Sequence, residues 1–93
     1  MAEARIWVAE LRWSRATADK ISQKHGLNVT EIEDALVCQE GLRAGWNRHP
    51  ERGRRAMVQV QVRHKPILVV LYPVGNDSFN LGSAYPIGKG SRR

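Results

Sequence analysis

RRAMVQVQVRHKPILVVL, residues 54–71, sets two different apolar patterns back to back. From Arg54 to Arg63 the chain alternates, with Ala56, Val58, Val60 and Val62 on one face and Met57, Gln59, Gln61 and Arg63 on the other. Successive side chains of a strand point to opposite faces, so this is a half-exposed antiparallel strand. Ile67–Leu71 is apolar and mostly branched throughout, the pattern of a central strand covered on both faces. Arg63-His64-Lys65-Pro66 connects the two. A hairpin of this kind belongs to a sheet with an apolar face that other elements must bury.

Two helices upstream are available for that task. Ser14 suits an N-cap, Trp13 before it can staple onto Ala18, and Ala18, Ile21 and His25 recur at helical spacing. Gly26 can take the left-handed conformation that ends a helix, and Leu27 can then fold back on Ile21. Asn28 caps a second helix with Glu31 at its third position, a staple from Leu27 to Ile32, and an apolar stripe of Val29, Ile32 and Leu36. Glu31, Glu33 and Asp34 lie in its first turns, where they complement the helix dipole. Before the helices, Arg5–Trp13 reads as one strand, with Trp7 and Trp13 in the core. Between Gln39 and Gly53 no period is sustained, and Gly41, Gly45, Pro50 and Gly53 punctuate what reads as a long functional loop. Beyond Tyr72-Pro73, a Gly-Asn-Asp turn precedes a last strand over Ser78–Tyr85. The expected order is therefore strand, two helices, three strands: an α+β fold with two N-terminal helices packed on one face of a small, mostly antiparallel sheet. Residues 1–87 are expected to form one domain and residues 88–93 a flexible basic tail.

Charge is concentrated rather than spread. From Gly41 to Lys65 there are seven basic residues, Arg43, Arg48, Arg52, Arg54, Arg55, Arg63 and Lys65, against the single acid Glu51. Their net of +6 equals the formal charge of the whole 93-residue chain, while residues 1–40 carry more acids than bases. A polyanion is the natural partner of that middle. A hydrophobic content of 42% argues against a disordered chain, and no apolar run approaches the roughly 18 residues that cross a bilayer. Met1–Ala9 lacks the pattern of a secretory signal, which points to the cytoplasm. The one cysteine, Cys38, has no partner for a disulfide or a zinc site and reads as a small core residue. There is no glycine-rich phosphate loop before a helix and no acidic cluster suited to paired metals, so no metal or other cofactor is expected.

Several features in order resemble one family. They are a first strand ending near a Trp, a helix closing on Lys24-His25-Gly26, a capped helix reading Asn-Val-Thr-Glu-Ile-Glu, an Arg-rich entry to a hairpin, and a last strand containing Ser83-Ala84. Over residues 10–87 the chain is similar to BrnT-type toxins of the RelE-like superfamily. The resemblance implies the toxin of a bacterial type II toxin–antitoxin system, a small endoribonuclease that cleaves mRNA, inhibits growth and is silenced by a cognate antitoxin. The family's last strand often reads Ile-Ser-Ala-Arg, whereas here Leu81-Gly82-Ser83-Ala84-Tyr85 places a tyrosine at the arginine's position, and no C-terminal helix follows.

Cleavage without a metal would use the RNA's own 2′-hydroxyl as nucleophile, which calls for a base, an acid and cations around the phosphoryl transition state. His25, at the end of a helix, is a candidate acid, since imidazole titrates near neutrality, or else a packing residue beside Ile21. Lys24 is adjacent in sequence but points about 100° away around the helix. Arg54 and Arg55 enter the hairpin on alternate faces, so one of them projects from the open face, where a guanidinium can grip two phosphate oxygens. Tyr85, on the parity of Phe79, Leu81 and Ser83, is a candidate phosphate ligand or base, or closes the core. His64 sits in the basic turn. For RNA binding, Trp46 amid Arg43, Arg48 and His49 offers a stacking surface surrounded by phosphate partners, with Arg52, Arg63, His64 and Lys65 extending the basic surface. The alternative from another class is a non-catalytic basic module that binds RNA or an acidic protein partner.

Overall fold

The computed structural model describes residues 3–87, and the expected basic tail, residues 88–93, lies outside them. The hairpin forms as its sequence dictates. β4 (Gly53–Val62) and β5 (Lys65–Gly75) pair antiparallel from Ala56↔Leu71 to Val62↔Lys65, leaving Arg63 and His64 as a two-residue turn. Both turn residues have positive φ, 54° and 68°. A tight hairpin with right-handed strand twist needs that backbone, which costs a residue with a side chain about 1–2 kcal/mol. His64→Gly is accordingly expected to raise stability by roughly 1 kcal/mol in urea unfolding, because it relieves that cost and leaves the Arg63–Glu31 pair in place. Asn76 and Asp77 make a second such turn, at φ 44° and 64°, between β5 and β6 (Ser78–Pro86).

Both helices begin and end where the local chemistry allows. α1 (Arg15–His25) is capped by Ser14, whose Oγ accepts from Thr17 N at 3.1 Å, and ends on Gly26 at φ 66°. α2 (Val29–Leu36) is capped by Asn28, whose Oδ1 accepts from Thr30 N at 2.9 Å. Val29, Ile32 and Leu36 are buried as the stripe predicts, with Ile21 of α1 beside them. The helices lie on one face of a six-stranded sheet, α1 against β6 and α2 against β4. The face they cover carries Ala56, Val58, Val60 and Val62 of β4 and Ile67, Val69 and Leu71 of β5. Arg63 Nε donates to Glu31 Oε2 at 2.8 Å and ties the hairpin turn to the first turn of α2.

The sheet order is β1-β3-β4-β5-β6-β2, mixed but mostly antiparallel and open at both ends. In general terms this is the shape that the RelE-like resemblance implies. Four expectations need correction. The segment read as a long loop contains β3 (Arg43–His49), which pairs antiparallel with β4 from Ala44↔Val58 to His49↔Gly53. Arg5–Trp13 is two short strands, not one: β1 (Glu3–Arg5) pairs with β3 and β2 (Glu10–Arg12) runs parallel to β6, at opposite edges of the sheet. Trp7 lies in the crossing between those edges and is 40% exposed rather than buried, while Val8 next to it is fully buried and bridges to Val37. Cys38, read as a core residue, is exposed just beyond α2, where its N–H donates to Val8 O at 2.8 Å.

The central strand is buried on both faces, as its unbroken apolar run implies. Helices cover only one face of β5, yet Val70 and Tyr72 on the other face are just 6% and 8% exposed. A β-bulge contributes to this. Val70 pairs with Ser83 and Leu71 with Leu81, so Gly82 is an extra residue in β6. A Cβ at Gly82 would run into Cε2 and Cδ2 of Tyr72, so the phenol ring lies directly over this glycine. The bulge also moves Tyr85 to the face opposite Phe79 and Leu81, correcting the parity read from sequence.

Candidate nucleic-acid interface

Alternation along β4 sends Arg54 and Arg55 to opposite faces, and each acquires a different role. Arg54 shares the face of Ala56, and its guanidinium lies 4.4 Å from the centre of the Trp46 ring. Trp46 is partly buried against the core and lines a cleft of about 460 Å³ with Trp7, Pro73 and Phe79. The arginine over Trp46 is thus Arg54, which was not among the residues expected around that ring, and it lies on the helix-bearing side of the sheet. Arg48 stands opposite Arg54 in the β3–β4 register and is exposed. His49 turns inward on its own loop: its Nδ1 accepts from Glu51 N at 3.0 Å and Arg52 N at 3.1 Å. A ring nitrogen that accepts two main-chain N–H groups holds the β3–β4 turn in shape and sets where Arg52 begins.

The open face carries the denser cluster. Arg55 is half-buried and its Nε donates to Asn47 Oδ1 at 2.6 Å, across the strand pair Asn47↔Arg55. Continuing the β4–β5 register one residue past Ala56↔Leu71 sets Arg55 beside Tyr72. Arg52, in the turn, places its guanidinium 4.0 Å from the centre of the Tyr72 ring. Tyr72 pairs in turn with Asn80, and Asn80 with Arg12. Arg12, Ser14, Thr17, Arg52 and Asn80 surround a depression of about 310 Å³ at the start of α1. Arg12 is held there by Glu10, whose Oε1 accepts from the guanidinium at 3.2 Å and from Ser78 Oγ at 3.0 Å. Those bonds, Arg12's first, hold the exposed Glu10 carboxyl below the ordinary carboxylate range. Glu10 therefore stays ionised to lower pH than it would without these partners, and the clamp weakens as pH falls through its lowered pKa.

A third group lies at the other end of the sheet. β2 pairs with β6 only over Ser78–Asn80, which leaves one edge of β6 free further on. There His25 meets Tyr85, with ring centres 6.2 Å apart and planes tilted by 48°. Lys24 is exposed in the same last turn of α1, His64 is exposed in the β4–β5 turn, and Lys65 is exposed at the start of β5. Tyr85 pairs with Leu68 and Leu68 with Gln59, so Tyr85 lies four positions along β4 from the level of Arg55. At about 3.4 Å per residue, the two levels are separated by roughly 14 Å along the strands. Arg43 opens β3, where it pairs with Arg5 of β1, away from both ends of the hairpin.

Tyr72 and Arg12 were not singled out in the sequence. Tyr72 carries a usable signal, since it continues the Val70 parity onto the uncovered face. The bulge makes that position sensitive. Gly82→Ala is expected to destabilise the fold by about 1–3 kcal/mol through overpacking against Tyr72, and to lift the ring away from Arg52. Thermal unfolding together with the tyrosine fluorescence of the folded variant would register both effects.

Among the described residues, no group of three or more His, Cys, Asp or Glu side chains could hold a metal ion, and no helix is long and apolar enough to cross a membrane. The chain matches no family model, and no curated protein or solved structure matches it at a significant level.

Proposed function

We propose that the protein is the toxin of a bacterial type II toxin–antitoxin pair, a cytoplasmic endoribonuclease that cleaves mRNA without a metal and so arrests translation and growth. The observation that carries this reading is the open-face cluster, in which Arg52 lies over Tyr72 and Arg55 is braced by Asn47 on the sheet face opposite α1 and α2. A pre-positioned guanidinium can bind two non-bridging phosphate oxygens and neutralise the charge that grows on them as the 2′-hydroxyl attacks. As the P–O2′ bond forms the P–O5′ bond breaks, the 2′-hydroxyl proton passes to solvent water, and the phenol of Tyr72 under Arg52 is the candidate donor of a proton to the departing 5′-oxygen. In this arrangement Arg55 and Arg52 hold the scissile phosphate, and Arg54 with Trp46, together with Arg43, Arg48, Arg63, His64 and Lys65, serves the remainder of the RNA. His25, Tyr85 and Lys24 form the second candidate centre. Proton transfer requires heavy atoms about 2.6–3.2 Å apart, so one phosphodiester engages one of the two centres.

Silencing by a cognate antitoxin follows from the same electrostatics, because an acidic or helical segment laid on the basic face would exclude RNA and be drawn to it quickly. The second reading, a non-catalytic module for RNA or an acidic protein, is favoured by the separation of Arg55 from the His25–Tyr85 pair, roughly 14 Å along the strands and two strands across, and by the commitment of His49 to its own turn. Inducible expression in bacteria separates the two. The toxin reading expects growth to stop within minutes as mRNA is cleaved, whereas growth arrest with intact mRNA would support the binding module.

A further inference from the structure

The open face holds a polar row that crosses the strands instead of following them. Register places Arg12 of β2 beside Asn80 of β6, Asn80 beside Tyr72 of β5, and Arg55 of β4 beside Asn47 of β3, while Tyr72 and Arg55 each lie one residue beyond the last β4–β5 pair, Ala56↔Leu71, on the same face. Five adjacent strands therefore contribute one polar side chain each at a single level of the sheet. Four interstrand steps of about 4.8 Å give a row on the order of 19 Å, the length of roughly three or four nucleotides of extended single strand. Arg55 and Arg52 supply the cations near one end and the middle. Arg12 supplies one at the other end, in the depression it shares with Arg52 and Asn80.

We propose that this row is the track of a single-stranded RNA running across the strands, with Arg12 and Asn80 forming a distal subsite for a further phosphate of the same strand, beyond the one that Arg55 and Arg52 hold. The inference rests on the RNA reading above and extends it to the direction of the strand, its length and a further ligand, Arg12. Charge balance at the subsite explains how it operates. Among the described residues, the carboxylate that meets Arg12 is that of Glu10, which takes one edge of the guanidinium and is itself braced by Ser78. The Ser14 hydroxyl is already bonded to Thr17, both as acceptor from its N–H and as donor to its Oγ1, so the Arg12 guanidinium and the Asn80 amide do the recognising. Glu10 therefore restrains Arg12, and an arriving phosphate competes with it.

The test is fluorescence anisotropy with labelled 2′-O-methyl oligouridylates, which bind without being cleaved, as di-, tetra- and hexanucleotides over a range of salt. The wild type should gain affinity from dinucleotide to tetranucleotide and little beyond. Arg12→Gln should weaken the tetranucleotide by roughly three- to tenfold, with a penalty that shrinks at the dinucleotide and a salt slope shallower by about 0.7, the value of one single-strand phosphate contact. Glu10→Gln should move the other way and tighten the tetranucleotide, which a merely misfolded variant would not do. If Arg12→Gln has no effect, or an equal effect at all lengths, while Arg55→Ala still removes binding, the track is wrong and RNA binding by the open face stands. If the wild type binds none of the oligonucleotides, both the track and the RNA reading are overturned.

Discussion

Replacing Arg55 with alanine is expected to abolish growth inhibition and to slow RNA cleavage by about 10²-fold or more, while leaving the unfolding transition close to that of the parent. The side chain is half-buried on the face opposite the helices and donates a hydrogen bond to Asn47, so its removal costs little packing. What it removes is a guanidinium already oriented by that bond, and orientation is what gives a transition-state contact its value. Arg54→Ala is expected to have the smaller catalytic effect, because Arg54 lies over Trp46 on the opposite face. Cleavage rates of the two variants, measured beside their urea unfolding curves, check the ordering. Equal toxicity of Arg55→Ala and the parent would move the reaction centre to the His25–Tyr85 end.

The largest effect on stability is expected from Val60→Asp. Val60 is 7% exposed on the face of β4 that α2 covers, paired with the fully buried Ile67 and in the same cluster as Ile32 and Leu36. No cationic or hydrogen-bonding side chain belongs to that cluster, so a carboxylate there would be desolvated without compensation. A loss of more than about 3 kcal/mol is expected, a large part of the total stability of a domain this size. The variant should be recovered unfolded or aggregated, and it should lose RNA binding along with structure, whereas Arg55→Ala loses function alone. Circular dichroism at low temperature distinguishes the two outcomes directly.

The parts of the fold that could be read in the sequence are those governed by neighbours in the chain. Ser14, Gly26 and Asn28 cap helices through bonds that span two to four residues, and the alternation of β4 needs no partner to be recognised. β3 was hidden because Arg43-Ala44-Gly45-Trp46-Asn47-Arg48-His49 has no alternating apolar face. It becomes a strand by pairing with Val58, Met57 and Ala56, fixed by the hairpin. The break at Trp7 has a similar origin, since two three-residue strands on opposite edges of a sheet look like one strand when the tertiary partners are unknown. At the interface, the separation of Arg54 from Arg55 follows from parity alone. Arg12 could not be placed, because its neighbours depend on a parallel pairing between residues 10–12 and 78–80. Tyr85 was assigned to the wrong face because one extra residue, Gly82, inverts every position after it.

The central claim is that guanidinium groups on the open face cleave RNA by directing its own 2′-hydroxyl at the adjacent phosphorus. End-group analysis of RNA incubated with purified protein in EDTA tests this most directly. Fragments ending in 2′,3′-cyclic phosphate, formed by the wild type and absent with Arg55→Ala, are the predicted result. RNA left intact and shifted only in a salt-dependent manner, or fragments produced equally by Arg55→Ala, would contradict it.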